Sequence, residues 1–375
     1  MPEPREPGTQ ADAVEQVIAE QEAIFLSRQP RSARLVAEAS RYLAGGATSS
    51  WQIAEPQAVW ISHGAGSKLY DVDGNEYVDM HGGYGASIAG HGHPAIVAAV
   101  SERVRRGTHF AQPTEDAIWV ARDLSHRFGL PLWRFGNSGT ESTMDAVHLM
   151  RAVTGRDLLL KVEGGYHGHH DSVQVSVMPA ADQVGSRDHP NRVSATGGIP
   201  RAITDLAVIV PFNDLAAVER ALAENRGRVA GMIVEPVIMN AGIIPPDPGY
   251  LEGLRDLLHA EGALLTFDEV KTGFTTGPGG ATARYGVVPD IVCLAKALGG
   301  GIAVAAIGGT NRVMSAILDG RYQQVGTFNG NPLAMAAARA TLAEVLTDQT
   351  YAKLDRLALS LQECMEKAIR DAGMR

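Results

Sequence analysis

The stretch EGALLTFDEVKTGFTTGPGGATARYGVVPDIVCLAKALGGG, residues 261–301, determines how the rest of the sequence is interpreted. It holds two apolar runs, 263–267 and 291–295, each typical of a buried strand. Asp268 follows the first run, and Lys296 follows the second, 28 residues further along the chain. A carboxylate can hold a ring nitrogen protonated, and a lysine can form a Schiff base. The stretch therefore predicts a cofactor site.

The composition is that of an ordinary soluble globular enzyme. The chain has 375 residues, which predicts two domains, and 45% of them are hydrophobic. The net charge is -9 and no basic stripe is present, so we expect no nucleic-acid partner. One of the two cysteines, Cys293, lies in an apolar run, which argues against a structural disulfide. No apolar run reaches the roughly 18 residues that span a membrane, and the polar N-terminus lacks a signal-peptide core. We expect a cytoplasmic protein without a membrane partner.

Strand and helix patterns alternate through the large segment 81–330. Short apolar strands separated by amphipathic helices indicate a parallel sheet covered on both faces, so we expect an α/β fold with a mostly parallel seven-stranded sheet. The predicted strands are 131–135, 157–162, 206–210, 229–234, 263–267, 290–294 and 304–308, and the predicted helices of this segment are 94–106, 114–127, 140–153, 214–225 and 248–260.

Two smaller segments flank the large one. Residues 1–80 are predicted to form helices and a small antiparallel sheet, after ten disordered residues with three prolines. Residues 331–375 are predicted to begin a small C-terminal domain that the sequence leaves incomplete, with helices at 331–346 and 351–371. Within the large segment, the interval 167–205 shows neither helical nor strand periodicity, which is typical of a lid or binding loop.

Two motifs follow predicted strands and could contact a ligand. Ser138, Gly139 and Thr140 open a helix, where free backbone N–H groups and the helix dipole favour a phosphate. A plain serine N-cap is the alternative for this motif alone. Tyr166 is flanked by glycines and could stack on a planar ligand, or it could be a surface residue of a turn.

The positions of these groups agree with one another. Ligands of open parallel sheets bind outside the carboxyl ends of the strands, and this convergence favours one cofactor site over the separate alternatives. His167, His169 and His170 do not predict a metal site, because no carboxylate or cysteine has matching ligand spacing. The groups at strand ends are the motif 138–142, Tyr166, Asn240, Asp268 and Lys296.

The motifs resemble those of class III aminotransferases, which are fold-type I enzymes that use pyridoxal 5'-phosphate (PLP). The resemblance covers about residues 40–345. It is closest to the glutamate-1-semialdehyde 2,1-aminomutase branch and its β-amino-acid and D-amino-acid transaminase relatives. The matching stretches are YDVDG (70–74), GTHFAQPTE (107–115), NSGTE (137–141), EGGYHG (163–168), EPVIMN (235–240), FDEVKTGF (267–274), PDIVCLAKALGGG (289–301) and GTFNGNP (326–332).

The resemblance implies a role for each residue that would contact the cofactor ring. Lys296 would be the Schiff-base lysine, and Asp268 would pair with the pyridine nitrogen. Asn240 would lie near the phenolic oxygen. Tyr166 would stack on the ring, with His167 beside it.

The resemblance also implies a phosphate site that two subunits share. Ser138, Gly139 and Thr140 would hold the phosphate of their own subunit's cofactor. Thr327 would reach the phosphate of the neighbouring subunit, so a homodimer with shared sites is implied. Tyr84 lies where the family often places an aromatic residue of the substrate pocket.

The segment that would bind the substrate departs from the aminomutase pattern. That pattern carries an arginine for the substrate carboxylate, whereas this chain has AGGATSSWQ at 44–52. The corresponding position is Gln52, or Ser50 by the β-amino-acid transaminase pattern. A neutral side chain lacks the bidentate grip of a guanidinium, which argues against glutamate 1-semialdehyde as the substrate. Trp51 would be an apolar wall of the pocket or an ordinary packing residue.

The resemblance predicts an aminotransferase that moves an amino group from a small-molecule donor to a keto or aldehyde acceptor. An isomerase acting at the same site, either the aminomutase itself or an amino-acid racemase, is the first alternative. A non-catalytic protein of the same fold is the second, and the presence of both Lys296 and Asp268 argues against it.

Overall fold

The computed structural model describes residues 10–374, which form two compact units. The first unit contains the described residues up to His81 together with Gly90–His93. Residues 1–9, for which the sequence predicts disorder, lie outside the described residues, whereas Gln10 already belongs to a helix. The regular elements of this unit are helices α1 (Gln10–Ser27) and α2 (Pro30–Ala39) and the antiparallel strands β1 (Ile61–Ala65), β2 (Lys68–Asp71) and β3 (Glu76–Val78).

The second unit is built on a seven-stranded sheet and contains Gly82–Ala89 and the chain from Pro94 onward. The strand order is β4-β10-β9-β8-β7-β5-β6. Strand β10 is antiparallel to both of its neighbours, and the other pairs are parallel, which confirms the predicted sheet. The strands are β4 (Leu132–Gly136), β5 (Leu158–Val162), β6 (Ala207–Val210), β7 (Val229–Val234), β8 (Leu264–Asp268), β9 (Ile291–Leu294) and β10 (Ala305–Gly309).

Helices cover this sheet. None of the helices in residues 10–374 combines the length and the apolar character that crossing a membrane requires. The helices of the second unit are α3 (Gly82–Gly85), α4 (Pro94–Arg106), α5 (Glu115–Phe128), α6 (Gly139–Thr154), α7 (Arg201–Thr204), α8 (Leu215–Glu224), α9 (Tyr250–Ala260), α10 (Thr272–Thr275), α11 (Gly280–Tyr285), α12 (Asn311–Leu318), α13 (Pro332–Ala340) and α14 (Asp348–Asp371).

Alternate residues of the strands enter two different apolar clusters. In β5, Leu158 and Leu160 belong to one cluster, and Leu159 belongs to the other. Strand β9 repeats the pattern, with Val292 in the first cluster and Ile291 in the second. Because successive strand residues point to opposite faces, the sheet carries a core on each face. This double burial explains why the strands are continuous apolar runs.

The predicted helix at 331–346 is wrong over its last turn. Helix α13 ends at Ala340, and a π-helical turn, Thr341–Val345, follows it. The Thr341 hydroxyl donates to the Ala337 carbonyl (2.8 Å), and the Leu346 N–H donates to the Thr341 carbonyl (2.9 Å). A hydroxyl that bonds back to the preceding turn competes with the regular ladder, which accounts for the wider turn.

Helix α14 confirms the second helix predicted near the end of the sequence. It begins at Asp348, before the predicted start, because the Thr347 hydroxyl accepts the Thr350 N–H (3.3 Å) and caps the first turn. In the interval 167–205, the structure contains only α7 as a helix or strand. The division of the chain into segments 1–80, 81–330 and 331–375 stays a prediction.

Candidate active site

Asp268 ends β8 and is held by two contacts. Its Oδ1 accepts the Val270 N–H (3.0 Å), and its Oδ2 lies 2.8 Å from Nδ1 of His167. Both side chains are buried. The His167 Nε2 atom is also buried and has no hydrogen-bond partner within residues 10–374. The imidazole therefore fixes the carboxylate and leaves one polar atom for a further group.

The next carboxylate, Glu269, stabilises the chain that follows β8. It is fully buried and accepts hydrogen bonds from the hydroxyls of Thr272 and Thr282 and from the N–H groups of Ala281 and Thr282. Burial raises the pKa of Glu269, and these hydrogen bonds oppose the shift. A Cβ atom at Gly280 would overlap the Glu269 carboxylate, which explains the glycine there. Glu269 is thus a structural anchor beside Asp268.

Lys296 begins the 3₁₀ turn Lys296–Gly299 directly after β9. Its backbone has φ of 46°, a left-handed conformation that is uncommon outside glycine and clusters at functional sites. Burial lowers the pKa of Lys296; the negative charges of Asp268 and Glu235 oppose this shift, and the positive charge of Lys271 adds to it. A lowered pKa increases the fraction of neutral amine, which is the nucleophilic form.

The start of α6 lies close to Val270, after β8, and to His169, in the loop after β5. Ser138 is the N-cap, because its hydroxyl accepts the Glu141 N–H (3.2 Å). A Cβ atom at Gly139 would be 2.9 Å from Val270, two residues after Asp268. The Thr140 hydroxyl accepts the His169 N–H (3.1 Å). In the part of the chain that the structure describes, the backbone N–H groups of Gly139 and Thr140 have no hydrogen-bond partner, so they can receive an anion.

Glu235 at the end of β7 organises the residues around Tyr166. Its Oε1 accepts the Tyr166 N–H (3.0 Å), and its Oε2 accepts the Met239 N–H (3.1 Å) and the Asn240 side-chain amide (3.0 Å). Tyr166 is half-buried; burial raises the pKa of its phenol, and the Asp268 charge raises it further. Tyr166 and Asn240 are therefore joined through one carboxylate.

Thr327 lies in the loop between α12 and α13. It lines a cavity of about 600 Å³ together with His109 and Gln324. The same loop contacts the start of the α6 segment, because the Asn137 amide donates to Oδ1 of Asn329 (3.0 Å). Lys296 is not among the residues that line this cavity.

The three residues predicted for the substrate pocket belong to different units. Trp51 and Gln52 lie in the 3₁₀ turn Ser50–Gln52 of the first unit, where the Thr48 hydroxyl donates to Oε1 of Gln52 (2.5 Å). Tyr84 lies in α3 of the second unit with φ of 60°, and α3 packs against the turn that begins with Lys296. Their roles in substrate binding stay predictions.

Sequence reasoning missed two residues that shape the site. Glu235 appears in the sequence analysis only within the matching stretch EPVIMN, without a role, although its position at the carboxyl edge of the sheet is a usable signal. Lys161 was missed because it lies inside an apolar strand pattern, where a single lysine gives no periodic signal. Its amine donates to the carbonyls of Val162 (3.1 Å) and Gly165 (2.7 Å).

Fold and strand-edge geometry together define a PLP-dependent transferase, and comparisons with known proteins agree. The sequence matches the family described as "Aminotransferase class-III" over residues 52–373. It is 42% identical to glutamate-1-semialdehyde 2,1-aminomutase from Roseiflexus castenholzii over 349 residues, covering 92% of this chain and 79% of that protein. The chain therefore belongs to the class III aminotransferase family.

Solved structures are similar to this one over most of its length. An omega-transaminase from Sphaerobacter thermophilus superimposes with a TM-score of 0.88 and 36% identity, covering 91% of this chain and 78% of that chain. A glutamate-1-semialdehyde-aminomutase from Pseudomonas aeruginosa PAO1, in complex with PMP, gives a TM-score of 0.87 and 31% identity, covering 97% and 81%. These relatives support PLP as the cofactor.

The described residues fit that cofactor. Asp268 is a buried carboxylate at a strand end, and Lys296 is an amine with a lowered pKa on the next strand. Two backbone N–H groups at the start of α6 can receive a phosphate. The buried Nε2 atom of His167 is a polar group without a hydrogen-bond partner among the described residues.

Asp268→Asn is expected to lower the pKa of Lys296 further, because the change removes a negative charge that favours the ammonium form. The rate of amine acetylation at Lys296 against pH, followed by peptide mass spectrometry on cofactor-free protein, measures this shift. The variant is also expected to retain PLP and to lose kcat by about 10²-fold or more, because a preorganised charge at the reacting group is lost. The matched control is Asp319→Asn, at an exposed site. An unchanged Lys296 pKa in Asp268→Asn would contradict the electrostatic coupling.

Proposed function

We propose that this aminotransferase uses Lys296 both to bind PLP covalently and to move the proton during amine transfer. The supporting observation is the environment of the amine. Lys296 sits on a left-handed turn at a strand end, its pKa is lowered by burial, and the Asp268 charge acts on it. A desolvated amine on which the charge of a fixed carboxylate acts suits both covalent attachment and proton transfer.

When bound, PLP supplies an electron-withdrawing ring that stabilises negative charge on the carbon bearing the transferred nitrogen. Asp268 keeps a proton on the ring nitrogen, and the His167 contact holds the carboxylate in place for that task. Lys296 Nζ, once released from its covalent bond, would take the proton from the reacting carbon of the donor and deliver it to the former aldehyde carbon of the cofactor. Tyr166 would cover one face of the ring, and Asn240 would lie near the phenolic oxygen.

The phosphate is assigned to the start of α6. The free N–H groups of Gly139 and Thr140 and the positive end of a 16-residue helix favour a dianion there. Ser138 contributes by capping the helix, so that these N–H groups keep a fixed direction. A side chain at Gly139 would press on Val270, so the close approach depends on glycine.

Lys296→Ala is expected to abolish turnover and the absorbance band of lysine-bound cofactor, because no other amine is proposed to attach to PLP. Absorbance spectra and a transamination assay with purified holoenzyme measure both. Lys271→Ala is the matched control, since Lys271 only adds to the electrostatic field at Lys296. That control should keep the band. Full activity of Lys296→Ala would rule out the proposed mechanism.

We infer that the segment 47–52 selects substrates without an arginine-bound carboxylate. Gln52 is neutral, and its side-chain oxygen accepts the Thr48 hydroxyl, which keeps it in the 3₁₀ turn. The omega-transaminase neighbour supports an intermolecular amine transfer, whereas the aminomutase relatives support an isomerase. A separate acceptor distinguishes them: transfer to pyruvate or 2-oxoglutarate consumes the acceptor in proportion to the donor, and isomerisation proceeds without one.

Gln52→Arg is expected to improve kcat/KM for dicarboxylate-like donors, because a guanidinium can bind a carboxylate with two parallel hydrogen bonds. We expect a gain of about tenfold, the equivalent of roughly 1.4 kcal/mol. A donor panel with and without a second carboxylate measures it. Gln52→Lys provides a control with the same charge and no planar fork. No gain for any dicarboxylate would remove Gln52 from the substrate site.

We further propose a homodimer in which Thr327 completes the phosphate site of the partner subunit. Thr327 lines a cavity separate from Lys296, and the neighbouring side chains of Val325 and Phe328 are exposed. Exposed apolar groups around a polar residue are typical of an interface. The exposed loop is thus available to a second copy.

Hybrid dimers test this arrangement. Thr327→Asp places a negative charge at the phosphate, so it should prevent PLP binding, and Lys296→Ala inactivates the other half of the site. A purified hybrid of one Thr327→Asp chain and one Lys296→Ala chain should regain about half of the wild-type activity per dimer, because one site then receives both intact residues. An inactive hybrid would place Thr327 in its own subunit's site. The two homodimeric variants serve as the baseline.

A further inference from the structure

Lys161 is a lysine inside the sheet, on the strand next to the edge strand β6. It lies in β5, between β7 and β6, and its side chain is fully buried. The other residues of this strand are leucines and a valine. Moving an unpaired ammonium group into such surroundings costs several kcal/mol. A lysine at this position therefore needs a specific set of partners.

The amine of Lys161 bonds to the turn that follows its own strand. Its Nζ donates to the carbonyls of Val162 (3.1 Å) and Gly165 (2.7 Å), at the two ends of that turn. The Gly165 N–H also donates to the Val162 carbonyl (3.2 Å), and Gly164 has φ of 77°. Lys161 thus stabilises the tight turn formed by residues 162–165.

The same peptide unit is held from its other side by Glu235. The carbonyl of Gly165 accepts from Lys161, and the N–H of the next residue, Tyr166, donates to Oε1 of Glu235 (3.0 Å). Glu235 follows β7, the direct neighbour of β5, and is itself buried. A buried amine that donates to the oxygen and a buried carboxylate that accepts from the N–H hold one peptide group from both sides.

The residues after this peptide unit are those assigned to the cofactor ring. Tyr166 follows it directly, and His167 comes next and contacts Asp268. The fit is close, because a Cβ atom at Gly165 would lie 3.1 Å from Nε2 of His167. Any rotation of the Gly165–Tyr166 peptide would consequently move both rings.

We propose that Lys161 is a positioning residue: together with Glu235 it clamps the Gly165–Tyr166 peptide unit and so fixes Tyr166 and His167 in the cofactor site. The proposal rests on the cofactor roles given above to these two rings. Lys161 itself touches neither substrate nor cofactor. Lys161 acts on Tyr166 and His167 through its hydrogen bond to the Gly165 carbonyl.

The electrostatics around the amine agree with this role. Burial lowers the pKa of Lys161 to about 7, and the charges of Glu235 and Glu163 oppose the shift. Glu163 has one buried side-chain oxygen without a hydrogen-bond partner among the described residues. Replacing a buried charge by an apolar side chain of similar volume is often neutral or stabilising. Global stability and local positioning can therefore be separated by experiment.

Lys161→Met removes the donors and keeps the length of the side chain. In cofactor-free protein, we expect the Tyr166 amide to exchange hydrogen at least tenfold faster, while amides of β5 and β7 keep their rates. Hydrogen exchange measured by mass spectrometry with residue-level fragmentation reports this. Leu160→Met is the matched control, because it introduces the same side chain one residue away, on the opposite face of the strand. It should leave the Tyr166 amide unchanged.

Two further measurements complete the test. In Lys161→Met, PLP binding followed by fluorescence titration should weaken by about tenfold or more, and this result does not depend on turnover. If the wild-type protein fails to transfer amines, the proposed function is refuted, but the proposed role of Lys161 is not. An unchanged Tyr166 amide, or equal acceleration across β5 and β7, would overturn the clamp. If Lys161→Met does not fold, Glu235→Gln provides a second test, because it weakens the hydrogen bond that the Tyr166 amide donates. The Tyr166 amide should then exchange hydrogen faster than in the wild-type protein. An unchanged exchange rate in Glu235→Gln would overturn the proposal.

Discussion

The buried contact between Asp268 and His167 is the constraint on which the site depends. It joins the end of β8 to the loop after β5, although β7 lies between these strands in the sheet. The negative charge that it fixes acts in two directions: it favours the ammonium form of Lys296 and disfavours the phenolate form of Tyr166. A displaced carboxylate would alter both groups at once. The contact between Asp268 and His167 therefore affects the protonation of both Lys296 and Tyr166.

Much of the fold could be predicted because buried parallel strands are recorded in the sequence as continuous apolar runs. The run at 263–267 became β8, Leu264–Asp268, with a shift of one residue. Once the sheet was predicted, the placement of Asp268 and Lys296 at its carboxyl edge followed from topology alone. Ser138 shows that the capping interpretation does not exclude the phosphate interpretation, because it caps α6 while the next two N–H groups have no partner in the described part of the chain.

The sequence could not predict contacts that pass through loop backbone. Asn240 donates to Glu235, a contact that depends on the dihedral angles of the turn between them. Lys161 bonds to a carbonyl four residues ahead, across a turn with a left-handed glycine. The π-helical turn after α13 coincides with a hydrogen bond from the Thr341 hydroxyl back to the Ala337 carbonyl. Each of these features is set by local geometry that leaves no periodic trace in residue type.

Buried polar contacts hold the loops at the carboxyl edge, in addition to buried apolar side chains such as Ile238 and Phe274. Glu269 accepts four hydrogen bonds from α10 and α11, and Glu235 accepts three from two loop segments. Lys161 donates to two carbonyls. Buried charges of this kind add little to the free energy of unfolding, since desolvation offsets most of the attraction. Directional hydrogen bonds nevertheless define one geometry, whereas apolar packing tolerates several. On our proposal, the cofactor ring contacts both Tyr166 and Asp268, and these side chains must be held to within a fraction of an ångström. The buried charged groups at the carboxyl edge provide this precision, although they add little stability.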